Sequence, residues 1–410
     1  MIRCCAPAWG WAGSVPAGCW AASWGNSSCG IDWAAPEQPT GRGTAGYGGT
    51  SVAMADLNYT MREYTLEDLP RVAELQRQLL GDDVEHNLAY LRWKYHDNPQ
   101  ADRPWAIVAQ HERDGIVGFR GFVPSLWQDS RSGAEVPMLA LADTCVDTDH
   151  RRRGLFTAMT RASLEHFGDA GYRAIINLST SAAPAPGYIK MGWQIFGHHG
   201  YLVRLTLRGV VARVLPLPVA TMRTCTGRRG DLVCTVEDRP GPAAMAAVVA
   251  QASPAPGRLV LKRDEEFYNW RFGNVRERYT FALAHRGEEP VAFVVVREDG
   301  AAGSGAIIDY AETEAGGIES LVDLLLGSAG FVGLSVWNAG PDGADERLWR
   351  SCGFRSLEGL KKLVRRTMPP LPLLVRPLAG EPVAEDWCPA GLDLRRPGSW
   401  HIMEICSDGS

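Results

Sequence analysis

A mixed α/β fold, built as two successive copies of one unit, is what this sequence predicts, and three observations carry the prediction. Between residues 57 and 207 the apolar positions alternate with a period of two in some stretches and fall at helical spacing in others, in the order β-α-α-β-β-β-loop-α-β-α-β. Midway, hairpin-type signals give way to a strand–loop–helix–strand unit, and a sheet that changes character in this way opens a ligand crevice. Two short segments then recur in the same order. Tyr90-Leu91-Arg92-Trp93-Lys94-Tyr95 is echoed by Phe267-Tyr268-Asn269-Trp270-Arg271-Phe272, and Tyr188-Ile189-Lys190-Met191-Gly192-Trp193 by Leu348-Trp349-Arg350-Ser351-Cys352-Gly353-Phe354. A chain of 410 residues is also too long for one ordinary core.

Each element has its own local signal. Residues 59–64 alternate as a first strand, and Thr65-Leu66-Glu67-Asp68 supplies a cap for a helix presenting Leu69, Val72, Leu75 and Leu79 on one face. A second helix is predicted over 85–95. Strands follow at 105–110, 115–126 and 136–147, the first two joined through Asp114-Gly115. A helix over 154–168, a short buried strand at 174–178, a short helix at 187–191 and closing strands over 194–207 complete the unit. Residues 208–257, rich in Pro, Gly, Ala and Arg, read as a connecting region. The second unit then offers strands at 279–285, 290–297, 306–310 and 331–337, with a helix at 318–326, and residues 366–410 read as a tail.

Residues 1–56 carry almost no charge and neither periodicity; they are expected to be a disordered or mis-annotated extension, with Met54 or Met61 as the true start. The expected division is therefore 1–56, a catalytic domain at 57–207, a connection at 208–257, a degenerate copy at 258–365 and the tail. Composition excludes several classes. A net charge of −5 gives no global reason to bind nucleic acid, and no run of eighteen apolar residues exists to span a membrane. The ten cysteines are scattered in the manner of free thiols, which places the protein in the cytoplasm.

The chemistry concentrates at Asp143-Thr144-Cys145-Val146-Asp147-Thr148-Asp149-His150-Arg151-Arg152-Arg153-Gly154-Leu155-Phe156. A strand ends, an arginine-rich loop follows, and a glycine opens an amphipathic helix with Phe156, Met159, Ser163 and Phe167 on one face. The first amides of such a helix lack intrahelical partners and lie at its positive dipole end, a natural cradle for pyrophosphate that arginines reinforce.

This stretch resembles the acyl-CoA loop of the GNAT superfamily, Arg/Gln-x-x-Gly-x-Gly/Ala. Arg151, Arg152, Arg153 and Gly154 match it, while Phe156 departs at the last, small position. Tyr188-Ile189-Lys190-Met191-Gly192-Trp193 resembles the second signature of the family, Tyr-x-Lys-x-Gly-Phe/Trp. The resemblance implies a tandem GNAT, two acyl-CoA N-acyltransferase-like domains, with acetyl-CoA or another acyl-CoA as co-substrate and no metal. It implies that Tyr188 protonates the departing thiolate, that Leu155 and Phe156 continue the phosphate cradle, and that main-chain groups of Cys145 and Val146 face pantetheine and polarise the thioester carbonyl. Ser181 and Pro184 stand where the family often has Asn and Ala, so Ser181 is left as a hydrogen-bonding contact to the cofactor arm.

Asp143 is the candidate base for the attacking amine, with binding of its ammonium or a structural bond as alternatives; His198 and His199 are weaker candidates. Cys145 has no base evident near it, so direct transfer is expected over an acyl-cysteine. In the second copy Glu312-Thr313-Glu314-Ala315-Gly316-Gly317 replaces the arginine loop and Trp349 stands in place of the tyrosine. That half is expected to be non-catalytic and to shape the acceptor site, complete the sheet or hold a homodimer. The expected acceptor is a small-molecule primary amine, with amino sugars favoured by likeness to relatives. The alternatives are acylation of protein lysines or N-termini, and a module that senses acyl-CoA without turnover.

Overall fold

The computed structural model describes residues 58–168, 170–179, 184–211, 223–252, 256–299, 303–339, 344–356 and 371–407. The first half contains β1 (Tyr59–Glu63), α1 (Leu69–Leu75), α2 (Arg77–Leu80), α3 (Val84–Tyr95), β2 (Ala106–His111), β3 (Gly115–Asp129), β4 (Glu135–Val146), α4 (Leu155–Phe167), β5 (Ala174–Asn177), α5 (Ala185–Lys190), β6 (Gln194–Leu205) and α6 (Leu207–Val211). The second contains β7 (Cys225–Arg229), β8 (Leu232–Glu237), α7 (Pro242–Gln251), β9 (Leu259–Leu261), α8 (Glu265–Arg271), β10 (Tyr279–Arg286), β11 (Glu289–Asp299), β12 (Ser304–Glu312), α9 (Gly317–Gly327), β13 (Gly333–Asn338), α10 (Ala344–Ser351), β14 (Arg355–Ser356) and β15 (Leu371–Pro377).

Local chemistry sets the boundaries. The amide of Thr65 donates to the Asp68 carboxylate at 2.9 Å ahead of α1, and Asp83 caps α3 by accepting the His86 amide at 3.0 Å. Leu69, Val72, Ala73 and Leu75 form the buried face of α1. β3 and β4 are long because nearly every residue from Ile116 to Val123, and from Val136 to Val146, is apolar and buried, packed by helices on both faces of the sheet.

All the strands join one fifteen-stranded sheet in the order β1-β2-β3-β4-β5-β15-β6-β13-β12-β11-β10-β8-β7, with β9 on β3 and β14 on β6. Most pairs are antiparallel; β4–β5 and β12–β13 are parallel. Strand β6 joins the halves, pairing from Gln194 to His199 with β15 and from Gly200 to Leu205 with β13. The second half repeats the first. β8, α7 and α8 stand where β1, α1 and α3 stand, then β10-β11-β12-α9-β13-α10 follows β2-β3-β4-α4-β5-α5. The mixed α/β class and the duplication are as expected.

Two segments differ from the sequence reading. Residues 208–257 are not merely a connection, for they include the β7–β8 hairpin, turned at Gly230 with φ +62°, and helix α7. Their Pro, Gly and Ala content hid the β-branched run Leu232–Glu237. The expected tail likewise includes β15, an internal strand, and beyond it the buried Trp400, stacked on Phe196 at 4.8 Å and edge-on to Trp127 at 5.3 Å.

The halves also meet through the repeated helix motif. Trp93 of α3 and Trp270 of α8 stack at 5.3 Å and 14°, and each indole N–H donates to the other residue's carbonyl, at 2.7 and 2.9 Å. Arg276 adds bonds to the Leu80 carbonyl and the Asn87 side chain. Trp93→Ala should lower unfolding stability by about 3–5 kcal/mol, seen as a reduced denaturation midpoint. The Trp93→Ala/Trp270→Ala pair should cost less than the sum of the single changes, because each removes the same contact.

Candidate active site

β4 and β5 pair only from Met138 to Ala140 against Ala174 to Ile176. Beyond Ala140, β4 runs on to Val146 with no strand on that edge among the described residues, and the splayed strands open a wedge. The arginine loop follows at its mouth. Asp147 accepts the Asp149 amide at 3.1 Å and starts a single 3-10 turn, Thr148–His150. Arg152 and Gly154 then take left-handed conformations, φ +62° and +80°, and Gly154 caps α4. A Cβ at Gly154 would meet nothing within 4 Å, so the glycine is there for its conformation and for open approach to the amides that follow.

The loop is anchored from several sides. Arg151 donates to the Val146 carbonyl at 3.1 Å and to Gln78 at 2.7 Å, and Arg153 donates to the Tyr59 hydroxyl at 3.0 Å and the Asp149 carbonyl at 2.9 Å. His150 hydrogen-bonds Tyr59 at 2.7 Å and lies 3.3 Å from Asp114 on the β2–β3 turn. Arg152 is exposed.

Tyr188 stands across the wedge on α5. Pro184 caps this helix and Pro186 sits in its first turn, where a missing N–H costs nothing. The chain leaves α5 at Gly192, φ +85°, where the Trp193 amide reaches back to the Tyr188 carbonyl at 3.2 Å. The Tyr188 ring is buried between Phe156 at 5.1 Å and Trp193 at 5.2 Å. Phe156, the departure from the motif, is thus the wall that packs on the tyrosine. Ser181 lies outside the described residues.

Sequence reasoning missed Arg120. It lies on β3, fully buried, and donates through Nη2 to the Tyr188 hydroxyl at 3.2 Å and through Nη1 to Thr144 at 3.4 Å. The available signal was one arginine inside the apolar run Val117-Gly118-Phe119-Arg120-Gly121-Phe122-Val123.

Asp143 is placed differently from the base pictured in the sequence. Its carboxylate is buried on the α3 side, 2.9 Å from Lys94 Nζ, and accepts from the hydroxyls of Tyr95 at 2.8 Å and Tyr90 at 3.4 Å. This placement fits the structural bond, one of the alternatives the sequence left open for Asp143. The second half repeats the device. Asp309 of β12 is buried against Arg263 and accepts from Tyr268 at 2.9 Å. Cys145 is a buried thiol whose Sγ lies 3.6 Å from the Leu75 carbonyl, and burial pushes its pKa up to about 12, far from a reactive thiolate. His199 stacks on Trp337 at 4.1 Å, with neither ring nitrogen hydrogen-bonded among the described residues; His198 is exposed. The six described cysteines are all free.

In the second half Gly316 also caps its helix in the left-handed conformation, φ +99°. There, however, the Glu312 carboxylate accepts the Ile318 amide at 3.0 Å and lies against those of Gly316 and Gly317, while burial raises its pKa against their pull. The anion position is filled from within. Nearby is a cavity of about 770 Å³, lined among others by Tyr310, Glu312, Ile318, Leu348 and Arg258.

Two outcomes follow from these buried charges. Lys94→Met should destabilise the chain by about 3–5 kcal/mol by stranding Asp143. Adding Asp143→Asn should recover part of that loss in the same denaturant titration. Burial, and secondarily the neighbouring His198, lowers the His199 pKa from 6.5 to about 4. The unfolded chain therefore binds this proton between those values and the folded chain does not. The stability associated with neutral His199 is whole above pH 6.5 and falls by about 3 kcal/mol as the pH drops to 4. His199→Phe should flatten that part of the stability profile.

A family profile described as an acetyltransferase (GNAT) domain matches residues 60–196, which run from β1 into β6 and include both motifs. Among curated protein sequences none matches the chain. Of solved structures, a probable N-acyltransferase from Enterococcus faecalis V583 superposes with a TM-score of 0.54 at 12% identity, over 80% of this chain and 74% of that one. A GCN5-related N-acetyltransferase from Anabaena variabilis does so with a TM-score of 0.52 at 13% identity, over 78% and 73%. At these identities the structures speak for the fold, and the profile match speaks for the domain. Members of this family draw their acyl group from acetyl-CoA. Among the described residues no helix is long and apolar enough to cross a membrane. The wedge, the arginine loop and Tyr188 all fall within the one stretch, residues 60–196, that matches the acetyltransferase (GNAT) domain.

Proposed function

We propose that this protein transfers an acyl group, acetyl first of all, from acyl-CoA directly to a small primary amine, with amino sugars as the acceptor class to test first. One observation carries the reading. The left-handed turn at Arg152 and Gly154 frees the first amides of α4 where β4 has left β5, and the buried Tyr188 hydroxyl is tied through Arg120 to Thr144 on that same stretch of β4.

In this reading the amides of Gly154, Leu155 and Phe156, with Arg151, Arg152 and Arg153, hold pyrophosphate. The unpaired edge of β4 at Cys145 and Val146 receives the pantetheine arm and polarises the carbonyl. Ser181 keeps the arm contact expected of it. The amine nitrogen attacks the thioester carbon, the C–S bond breaks with its electron pair going to sulfur, and the Tyr188 proton passes to that sulfur. The nitrogen gives up its own proton to water. That last role replaces the one expected of Asp143, whose partners argue for holding β4 in shape. A buried thiol at Cys145 favours direct transfer over a covalent intermediate.

The test is calorimetric titration of acetyl-CoA into the wild type and Gly154→Glu, followed by thiol-release assays with amino sugars, polyamines and a lysine peptide. One site per chain is expected, lost in Gly154→Glu, because Glu312 fills the second position. Tyr188→Phe should bind acetyl-CoA normally and lose about a hundredfold in kcat. Failure of the wild type to bind any acyl-CoA would leave a non-catalytic scaffold. Preference for the lysine peptide would shift the acceptor class to proteins.

A further inference from the structure

Arg120 combines properties that architecture alone does not account for. Its guanidinium is completely buried, yet among the described residues it forms no ion pair, and its Nε has no hydrogen-bond partner. Its surroundings are three aromatic rings, Phe156, Tyr188 and Phe122, at 5.0, 5.4 and 5.8 Å from Cζ. The nearest acid across the ladder, Asp143, is engaged by Lys94, Tyr90 and Tyr95. Burying a cation without its counter-ion is costly, and an apolar residue of similar size would fill the same space without that cost. The local backbone is arranged to permit the placement. The β3–β4 register shifts between Phe119 and Gly121, and a Cβ at Gly121 would lie 1.9 Å from the Tyr95 hydroxyl.

We infer that Arg120 is a positioning residue that sets the proton of Tyr188 for delivery to the departing thiolate. The inference rests on the acid role proposed for Tyr188. Nη2 donates to the phenol oxygen and occupies a lone pair there, so the O–H is left to donate elsewhere. When Tyr188 gives its proton to sulfur, the negative charge that had been leaving with the thiolate resides on the phenolate. A fixed cation 3.2 Å away stabilises that charge on the buried ring. The phenolate then regains a proton from solvent, and the overall change is amine plus thioester to amide plus thiol. Arg120 is covered by Phe156 and touches no solvent, so it acts through the tyrosine and not on the substrate.

The experiment compares the wild-type chain with Arg120→Met, Arg120→Lys, Arg120→Gln, Tyr188→Phe and the Arg120→Met/Tyr188→Phe double variant. The first readout needs no acceptor: ultraviolet titration of the protein–CoA complex, following thiolate and tyrosinate absorbance against pH. In Arg120→Met, and in Arg120→Gln should the methionine variant fail to fold, ionisation should move to higher pH, with Arg120→Lys between it and wild type. The second readout is turnover with the best amine. Arg120→Met should lose about tenfold or more in kcat with KM for acetyl-CoA near the wild-type value. The double variant should be little worse than Tyr188→Phe, since both changes remove one function. An unchanged titration in Arg120→Met or Arg120→Gln overturns the inference, and so do losses that multiply in the double variant. Tyr188→Phe with full kcat would instead remove the acid role itself, a result distinct from an impaired Tyr188→Phe beside an intact Arg120→Met.

Discussion

The arrangement depends on the bridging of β6, twelve residues that hydrogen-bond to two different partners along their length. Its first stretch takes β15 and its second takes β13. Because β15 also pairs with β5, the strand beside the wedge is held on its far edge and cannot close onto β4. Helix α5, which carries Tyr188, leads into β6 through the three residues Met191, Gly192 and Trp193, so the position of the proposed acid is tied to the same strand. Backbone pairing across the domain boundary thus governs the geometry of the site as well as the continuity of the sheet.

The two halves show which features belong to the fold and which to the chemistry. Both keep a left-handed glycine at the start of the helix after the wedge, Gly154 and Gly316. Both leave the following helix through a glycine at φ +85°, Gly192 and Gly353. Both bury an aspartate beside a cation and a tyrosine. The half that lacks the arginine loop still keeps Asp309 with Arg263 and Tyr268, so this device serves the strand before the loop. What differs is the occupant of the helix N-terminus: open amides in one half, the Glu312 carboxylate in the other. The acidic sequence suggested repulsion of phosphate; the structure adds that the place is already taken.

Much of the fold was legible because its signals are local. The strand–loop–helix passage around Gly154, the Tyr188 helix and the echo of Trp93 in Trp270 are all visible in short windows. Two kinds of feature were not. Strand β15 gives an apolar run at Leu371–Pro377, but its partners lie about 170 to 200 residues earlier, and no local pattern says that a late segment enters an early sheet. The role of a buried charge also depends on its neighbours in space. The role of Asp143 stayed open between base, ammonium contact and structural bond because Lys94 is distant in sequence, and Arg120 drew no attention because its partners Thr144 and Tyr188 lie 24 and 68 residues away.

The insertion of β15 bears on how the protein is made. The residues that complete the sheet beside β5, Leu371–Pro377, are translated about 190 residues after β5 itself, Ala174–Asn177. Until then the first half waits with an unpaired strand edge, a surface open to pairing with other chains. Completion of this half of the sheet consequently waits on a distant segment, and a chain cut before Leu371 would carry every motif of the site without the strand that holds it open.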